Sequence, residues 1–172
     1  ASDNGAAIQA PIKILNCNAG FKGRKGTLYE GGIRVPFIVN QPGMVPIQTL
    51  DNLIYFPDMM PTLAALAKER KHLPKQINGI NILPLFYGKQ VDTDNRLLYW
   101  EFPGKQRAAR KGDWKCVTIH PNQPLELYNL KEDPEETNNL AKKYPRRVKE
   151  FDEEMQRMHI PTPNWPQPGE QF

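Results

Sequence analysis

From Arg96 onward the chain changes period, and this change constrains the fold more than any other feature. Leu97 to Phe102, Arg107 to Arg110, Trp114 to Ile119 and Leu125 to Leu130 are short runs parted by Pro103-Gly104, Lys111-Gly112-Asp113 and Pro121-Asn122-Gln123-Pro124. Runs of strand length, each closed by turn-forming residues, predict an antiparallel meander. An amphipathic helix follows from Pro145 to about Met158, with Val148, Phe151, Met155 and Met158 as its inner stripe and Val148 and Phe151 against the meander. The tail from Ile160 carries Pro161, Pro163, Pro166 and Pro168, cannot continue a helix, and is expected along the surface.

Before Arg96 the pattern differs. Gly5, Gly20, Gly23, Gly26, Gly31 and Gly32 break every helical or strand period in residues 1–32, so a long surface loop is expected there. Ile33 to Val39 is a short apolar run that predicts a strand buried on both faces, with Pro36 near its entrance. Asp58 is placed to cap a helix reaching about Lys71, with Met59, Leu63 and Leu66 on one face and Lys68, Arg70 and Lys71 at its negative end. A short helix is expected over Leu83 to Phe86. The change of period sets a boundary near Gly88 to Asp94, dividing the chain into 1–90 and 91–172.

Composition narrows the class. A chain of 172 residues can bury one ordinary core, and 39% hydrophobic with 24% charged residues is the balance of a globular protein, with 17 prolines leaning toward loops. The net charge of +4 is modest and spread among acidic residues, which favours anionic substrates slightly and argues against nucleic acid, since no helix carries a basic stripe interleaved with aromatics. No apolar run approaches the roughly 20 residues of a transmembrane helix. The opening ASDNGAAIQAP lacks a secretory pattern, an absence that says little if the true amino terminus lies elsewhere. Cys17 and Cys116 have no zinc-binding spacing and are either one disulfide or two buried thiols, leaving the compartment open.

Two segments carry residues suited to chemistry. In Ser2-Asp3-Asn4-Gly5, a carboxylate and a carboxamide supply hard oxygens for calcium or magnesium if the turn at Gly5 makes them converge; the alternative is an Asx turn onto their own backbone. Calcium takes about six to eight oxygens, so further ligands must come from elsewhere. The segment Phe21-Lys22-Gly23-Arg24-Lys25-Gly26, running into Thr27-Leu28-Tyr29-Glu30-Gly31-Gly32-Ile33-Arg34-Val35-Pro36, joins cations to glycines that allow close backbone approach. Cations held by such a loop beside a metal suit an oxyanion such as sulfate or phosphate. The alternative leaves Lys22, Arg24 and Lys25 solvated and pairs Glu30 with Arg34.

KGTLYEGGIRVP, preceded at this distance by SDNG, resembles the sulfatase family signature, an S-D-N-G turn followed by K-G-T-x-x-E-G-G-x-R-V-P. DNLIYFPDMMPTLAALA, INGINILPLFYG, RAARKGDWKCV and ELYNLKEDPEETNNLA are similar to further runs of that family, extending the resemblance from residue 2 to about residue 158. It implies an α/β, alkaline-phosphatase-like fold, of which this chain would hold the last part of the large α/β domain (1–90) and the small C-terminal antiparallel sheet with its packed helix and Pro-rich tail (91–172). It also implies that Asp3 and Asn4 are metal ligands, usually to calcium, and that Lys25 contacts the sulfate and helps neutralise charge on the departing oxygen. Lys22, where relatives often have arginine, would support the sulfate-binding group. Glu30 and Arg34 would support the loop, and Trp100 and Glu101 either lie near the substrate pocket or form an ordinary strand pair.

The departures are as informative. The family's nucleophile is a formylglycine made from a C-x-P-S/A-x-R motif, but Cys17 is followed by Asn18-Ala19-Gly20 and Cys116 by Val117-Thr118-Ile119. His72, His120 and His159 match none of the family's proton-steering histidines. The chain is therefore expected to be the carboxy-terminal piece of a sulfatase, inactive alone. Its missing amino-terminal part would supply formylglycine and the paired aspartates, and the whole enzyme would act on sulfated carbohydrate in a periplasmic, extracellular or lysosomal setting. Two alternatives are a phosphoester or phosphonate hydrolase of the same superfamily and a non-catalytic module that binds sulfated glycans through Lys22, Arg24 and Lys25.

Overall fold

A computed structural model describes residues 1–7, 9, 12–102, 106–164, 166, 170 and 171. In chain order the helices are α1 (Ile12–Leu15), α2 (Glu30–Ile33), α3 (Met59–Leu66), α4 (Leu83–Phe86) and α5 (Pro145–Met158). The strands are β1 (Leu97–Phe102), β2 (Gln106–Lys111), β3 (Trp114–Thr118) and β4 (Glu126–Asn129). The chain divides into two compact units, one of residues 1–37 with 97–172 and one of residues 38–96. The second crossing lies near the boundary expected after residue 90; the first has no counterpart in the sequence expectation. Among the described residues no helix is long and apolar enough to cross a membrane.

The first unit is built on the meander. Its four strands lie in the order β1-β2-β3-β4, every pair antiparallel, with Ala109 opposite Cys116 and Cys116 opposite Leu127. Each expected run forms a strand; the Pro103-Gly104 turn and Pro168 lie outside the described residues. Because strand side chains alternate, successive residues serve opposite faces. Ala109, Cys116 and Leu127 pack on Phe151 and Met155 of α5, while Ala108, Val117 and Tyr128 pack on Leu28 and Tyr29. Each large apolar side chain so buried contributes about 1.5–3 kcal/mol. Val148 joins the α5 contact, whereas Met158, expected on the same stripe, is 38% exposed at the fraying end.

The second face changes the account of residues 1–32. The segment is irregular as expected, but its end is not at the surface: Leu28 through Gly32 are buried against the sheet. The strand expected over Ile33 to Val39 does not form. Residue Ile33 closes α2, residues 34–40 belong to no helix or strand, and Ile38 is 81% exposed. A strand buried on both faces needs strands on either side, and among the described residues none pairs with it. The thiols of Cys17 and Cys116 are both free, and Cys17 is exposed rather than buried.

In the second unit, Asp58 does not cap α3. Its fully buried carboxylate takes a bidentate pair of hydrogen bonds from Arg96, each 2.6 Å, and also accepts from the Tyr55 and Ile80 amides at 3.0 and 2.9 Å. A fork-on-fork pair of this kind adds a second parallel bond and a full opposite charge to what a single cap bond offers. The helix stops at Leu66 rather than Lys71. Lys68 takes φ +61°, its amide bonding Ala65 O at 3.2 Å and that of Glu69 bonding Ala64 O at 2.8 Å, a Schellman closure with lysine where glycine is usual. Leu63 and Leu66, the expected inner face, are 59% and 51% exposed; Pro61 and Thr62 are the buried positions, and the Thr62 hydroxyl accepts from the Ile82 amide. The short helix expected at Leu83 to Phe86 is α4.

Candidate active site

The two chemistry-bearing segments cross. The Gly5 amide donates to Gly32 O at 2.9 Å, and the Lys25 amide donates to Ala6 O at 2.9 Å, so the turn that follows Asp3 and Asn4 is tied to the lysine loop at two points. Glycine makes the crossing possible. A Cβ on Gly5 would lie 1.8 Å from Gly31 O, an approach no side-chain-bearing residue tolerates. Asn18 adds a third tie. Only 6% exposed, it accepts from the Ala6 amide at 3.1 Å and donates to Gly23 O at 2.5 Å, bridging the same two segments.

Asp3 is exposed, and among the described residues its carboxylate has no hydrogen-bond or ion-pair partner. Asn4 is half-buried and lines a cleft of about 530 Å³ with Gly5, Asn18 and Arg34. Neither Asp3 nor Asn4 forms an Asx turn with the described residues; the hydroxyl of Ser2 instead donates to Asn4 O at 2.9 Å. Lys25 is exposed and without an ion-pair partner among the described residues. The backbone ties thus bring the segments of Asp3, Asn4 and Lys25 to one region, with the charges of Asp3 and Lys25 uncommitted among the described residues. Among the described residues no three of His, Cys, Asp or Glu converge as a metal site.

Lys22 behaves differently. Its ammonium donates to Tyr128 Oη at 2.9 Å, lies 3.4 Å from Glu126 Oε2, and sits over the rings of Tyr29 and Tyr128 at 4.0 and 5.1 Å. Burial alone would raise the Glu126 carboxyl, but the Tyr128 and Tyr29 hydroxyls and the Lys22 ammonium outweigh it and hold the group below its ordinary range. The same carboxylate, after burial, pushes both tyrosine hydroxyls upward. Lys22 is therefore spent on fastening the loop to β4.

Glu30 is also engaged. It lies 2.8 Å from Lys115 Nζ and only 3.7 Å from Arg34, so its main partner is not the one four residues along the chain. Lys115 has no exposed side-chain area and stands 2.9 Å from Glu136 Oε1, while Glu136 Oε2 accepts the Glu30 amide at 2.6 Å. The Oε1 contact is one of charge, without the alignment of a hydrogen bond. Burial raises the Glu136 carboxyl above its ordinary value despite the opposing Lys115 charge. Arg34 stacks on Phe21 at 4.7 Å, as a support would. Trp100 packs with the sheet face that holds Tyr29, and Glu101 binds His159 Nδ1 at 2.5 Å.

Asn18, Gln106, Lys115 and Glu136 were not marked by the sequence reading. A signal existed for Lys115: it shares an alternating strand face with Val117, where a lysine must find buried anions. Gln106 gave none, lying outside the run assigned to its strand.

Residues 21–160 match the family described as N-sulphoglucosamine sulphohydrolase, C-terminal. A sulfatase of Formosa agariphila is 30% identical over 168 residues, covering 83% of this chain and 30% of that protein. The N-acetylgalactosamine-6-O-sulfatase of Bacteroides thetaiotaomicron is 29% identical, covering 77% of this chain and 29% of its own length. A solved Bacteroides thetaiotaomicron structure from work on the metabolism of multiple glycosaminoglycans superposes with a TM-score of 0.76 at 28% identity, over 91% of this chain and 37% of that one. The solved Ps i-CgsB in complex with k-i-k-neocarrahexaose superposes at 0.74 with 26% identity, over 98% of this chain and 38% of its own. The chain thus spans about 30% of the length of the curated relatives named here. Its fold is that of the alkaline-phosphatase-like sulfatases, in their C-terminal antiparallel subdomain. The chain belongs to the sulfatase family.

Proposed function

We propose that this chain is the part of a sulfate ester hydrolase that supplies Asp3 and Asn4 to a divalent-cation site and Lys25 to the sulfate group of a sulfated carbohydrate. The observation that carries it is the doubly hydrogen-bonded crossing of Gly5 with Gly32 and Ala6 with Lys25, beside an uncommitted carboxylate and an uncommitted ammonium. The donors fit calcium in kind, both being hard oxygens, and magnesium similarly; they supply two of about six to eight positions, so the other ligands belong to other parts of a longer enzyme. When bound, the cation would stabilise negative charge on the sulfate as a Lewis acid. Lys25 would stabilise charge growing on the leaving oxygen, and the loop glycines allow the anion close to the backbone. The nucleophile, a formylglycine in this reading, is not encoded in these residues, as neither cysteine lies in its motif. Residues 1–90 would close the catalytic α/β domain and residues 91–172 form the C-terminal subdomain. The relatives named for a hexosamine sulfate and bound to neocarrahexaose support a sulfated glycan as substrate. Engagement of Lys22 by Glu126 counts against a glycan-binding module built on the three loop cations.

The test uses the intact enzyme and the chain alone. Lys25→Ala should lower kcat/KM for an aryl sulfate by roughly 10²–10³-fold without moving the calcium half-saturation point, whereas Asp3→Asn should raise that point. The chain alone should release no sulfate. Wild-type rates in both variants, or metal-dependent turnover by the chain alone, would overturn the assignment.

A further inference from the structure

The lysine loop is closed locally by Arg24 and Thr27: the Thr27 amide and hydroxyl donate to Arg24 O at 3.0 and 2.9 Å, and the Arg24 amide donates to Thr27 Oγ1 at 3.2 Å. Around Gly26 the chain takes φ +92° with no heavy atom within 4 Å of where a Cβ would stand, so packing does not define the turn. Those local bonds define it, and side chains from the sheet fasten it in place. From β4, Glu126 accepts the Tyr29 hydroxyl at 2.7 Å and Tyr128 accepts Lys22; from β3, Lys115 holds Glu30. From the first residue of β2, Gln106 donates to Gly26 O at 2.9 Å and accepts the Leu28 amide at 3.2 Å. Of these contacts from the sheet, only that of Gln106 grips the residue next to Lys25.

We propose that Gln106 is a positioning residue for the reaction, fixing the Lys25-Gly26-Thr27 turn so that the Lys25 ammonium is presented to the sulfate group. The inference rests on the sulfate-contacting role given to Lys25 above. The chemistry needs a carboxamide: one side chain must donate to a carbonyl and accept from an amide at once, which glutamate, once ionised, and leucine cannot do. Gln106 is 8% exposed, so no water replaces either bond cheaply, and its strand is anchored by α5 on the other face. The C-terminal sheet therefore acts as a brace, with α5 as its backing and the lysine loop as its load.

The experiment uses the intact sulfatase with Gln106→Leu, Gln106→Glu and, as a control on the opposite sheet face, Met155→Ala. Inorganic sulfate is the probe, read as inhibition constant, together with kcat/KM, thermal midpoint and amide exchange of the peptide spanning 24–29. Gln106→Leu should weaken sulfate inhibition and lower kcat/KM by roughly tenfold or more, the size of effect that misplacing a charged group causes. It should also speed exchange at Leu28, and Gln106→Glu should behave likewise. Met155→Ala should lower the thermal midpoint while leaving sulfate inhibition unchanged. An unaltered sulfate constant in Gln106→Leu, or the same loss in Met155→Ala, overturns the proposal. If the wild-type enzyme cleaves no sulfate ester, the role of Lys25 falls; unchanged Leu28 exchange in Gln106→Leu would then also overturn the brace, and faster exchange would support it.

Discussion

Lys115→Met removes a cation buried between two carboxylates. Lys115 Nζ lies 2.8 Å from Glu30 and 2.9 Å from Glu136, and all three side chains are at most 3% exposed. Without it, Glu136 loses that charge partner, and among the described residues Glu30 keeps Arg110 at 3.6 Å and Arg34 at 3.7 Å. Removing one member of a buried ion pair costs about 3–5 kcal/mol, because the stranded charge can neither hydrate nor pair. For a chain of this size that is a fall in thermal midpoint of roughly 6–20 °C. The cost has a pH signature. Burial already raises the Glu136 carboxyl above its ordinary 4.5, so the stability it contributes is complete below that value and is lost as pH climbs through the raised one. Taking away the ammonium raises it further, and proton uptake becomes the main relief. The loss in Lys115→Met should therefore be greatest near neutral pH and shrink as pH falls toward 4.5. Urea unfolding of both proteins across this range measures it. A loss below about 1 kcal/mol, well under the buried-pair value, or one of equal size at every pH, would refute the reasoning.

Glycine substitutions separate space from conformation. Gly5→Ala should cost about 3 kcal/mol or more by overpacking, since the new Cβ meets Gly31 O at 1.8 Å, whereas Gly26→Ala, with φ +92° in open space, should cost only about 1–2 kcal/mol of backbone strain. Equal losses in denaturant titrations would show that the crossing can open. The thiols should divide likewise: Cys17 is exposed, while Cys116 is buried with its thiol pushed up to about 12 by burial. One equivalent of a thiol reagent should react with the native protein and a second only on unfolding. Two rapid equivalents would mean that the α5 face of the sheet is loosely packed, and none that the cysteines are paired.

The parts legible from the residues in order are those governed by local rules. The meander and α5 lie within a residue or two of expectation, because alternation, turn residues and a proline at the helix start act over a few positions. The resemblance of SDNG and KGTLYEGG to the sulfatase signature implies a shared site, and the folded chain ties those segments together, though no sequence pattern shows which cation is left free. Lys22 and Lys25 are alike as sequence; only the arrival of Glu126 and Tyr128 from about a hundred residues away commits one and leaves the other. Asp58 has the sequence of a cap, yet Arg96, 38 positions on, turns it into a buried ion-pair partner. Ile33 to Val39 has the sequence of a strand, but pairing needs neighbours and none is among the described residues. Local propensity thus settled which segments could be strand or helix, while the partners of each charge were decided in three dimensions, where separation along the chain no longer measures distance.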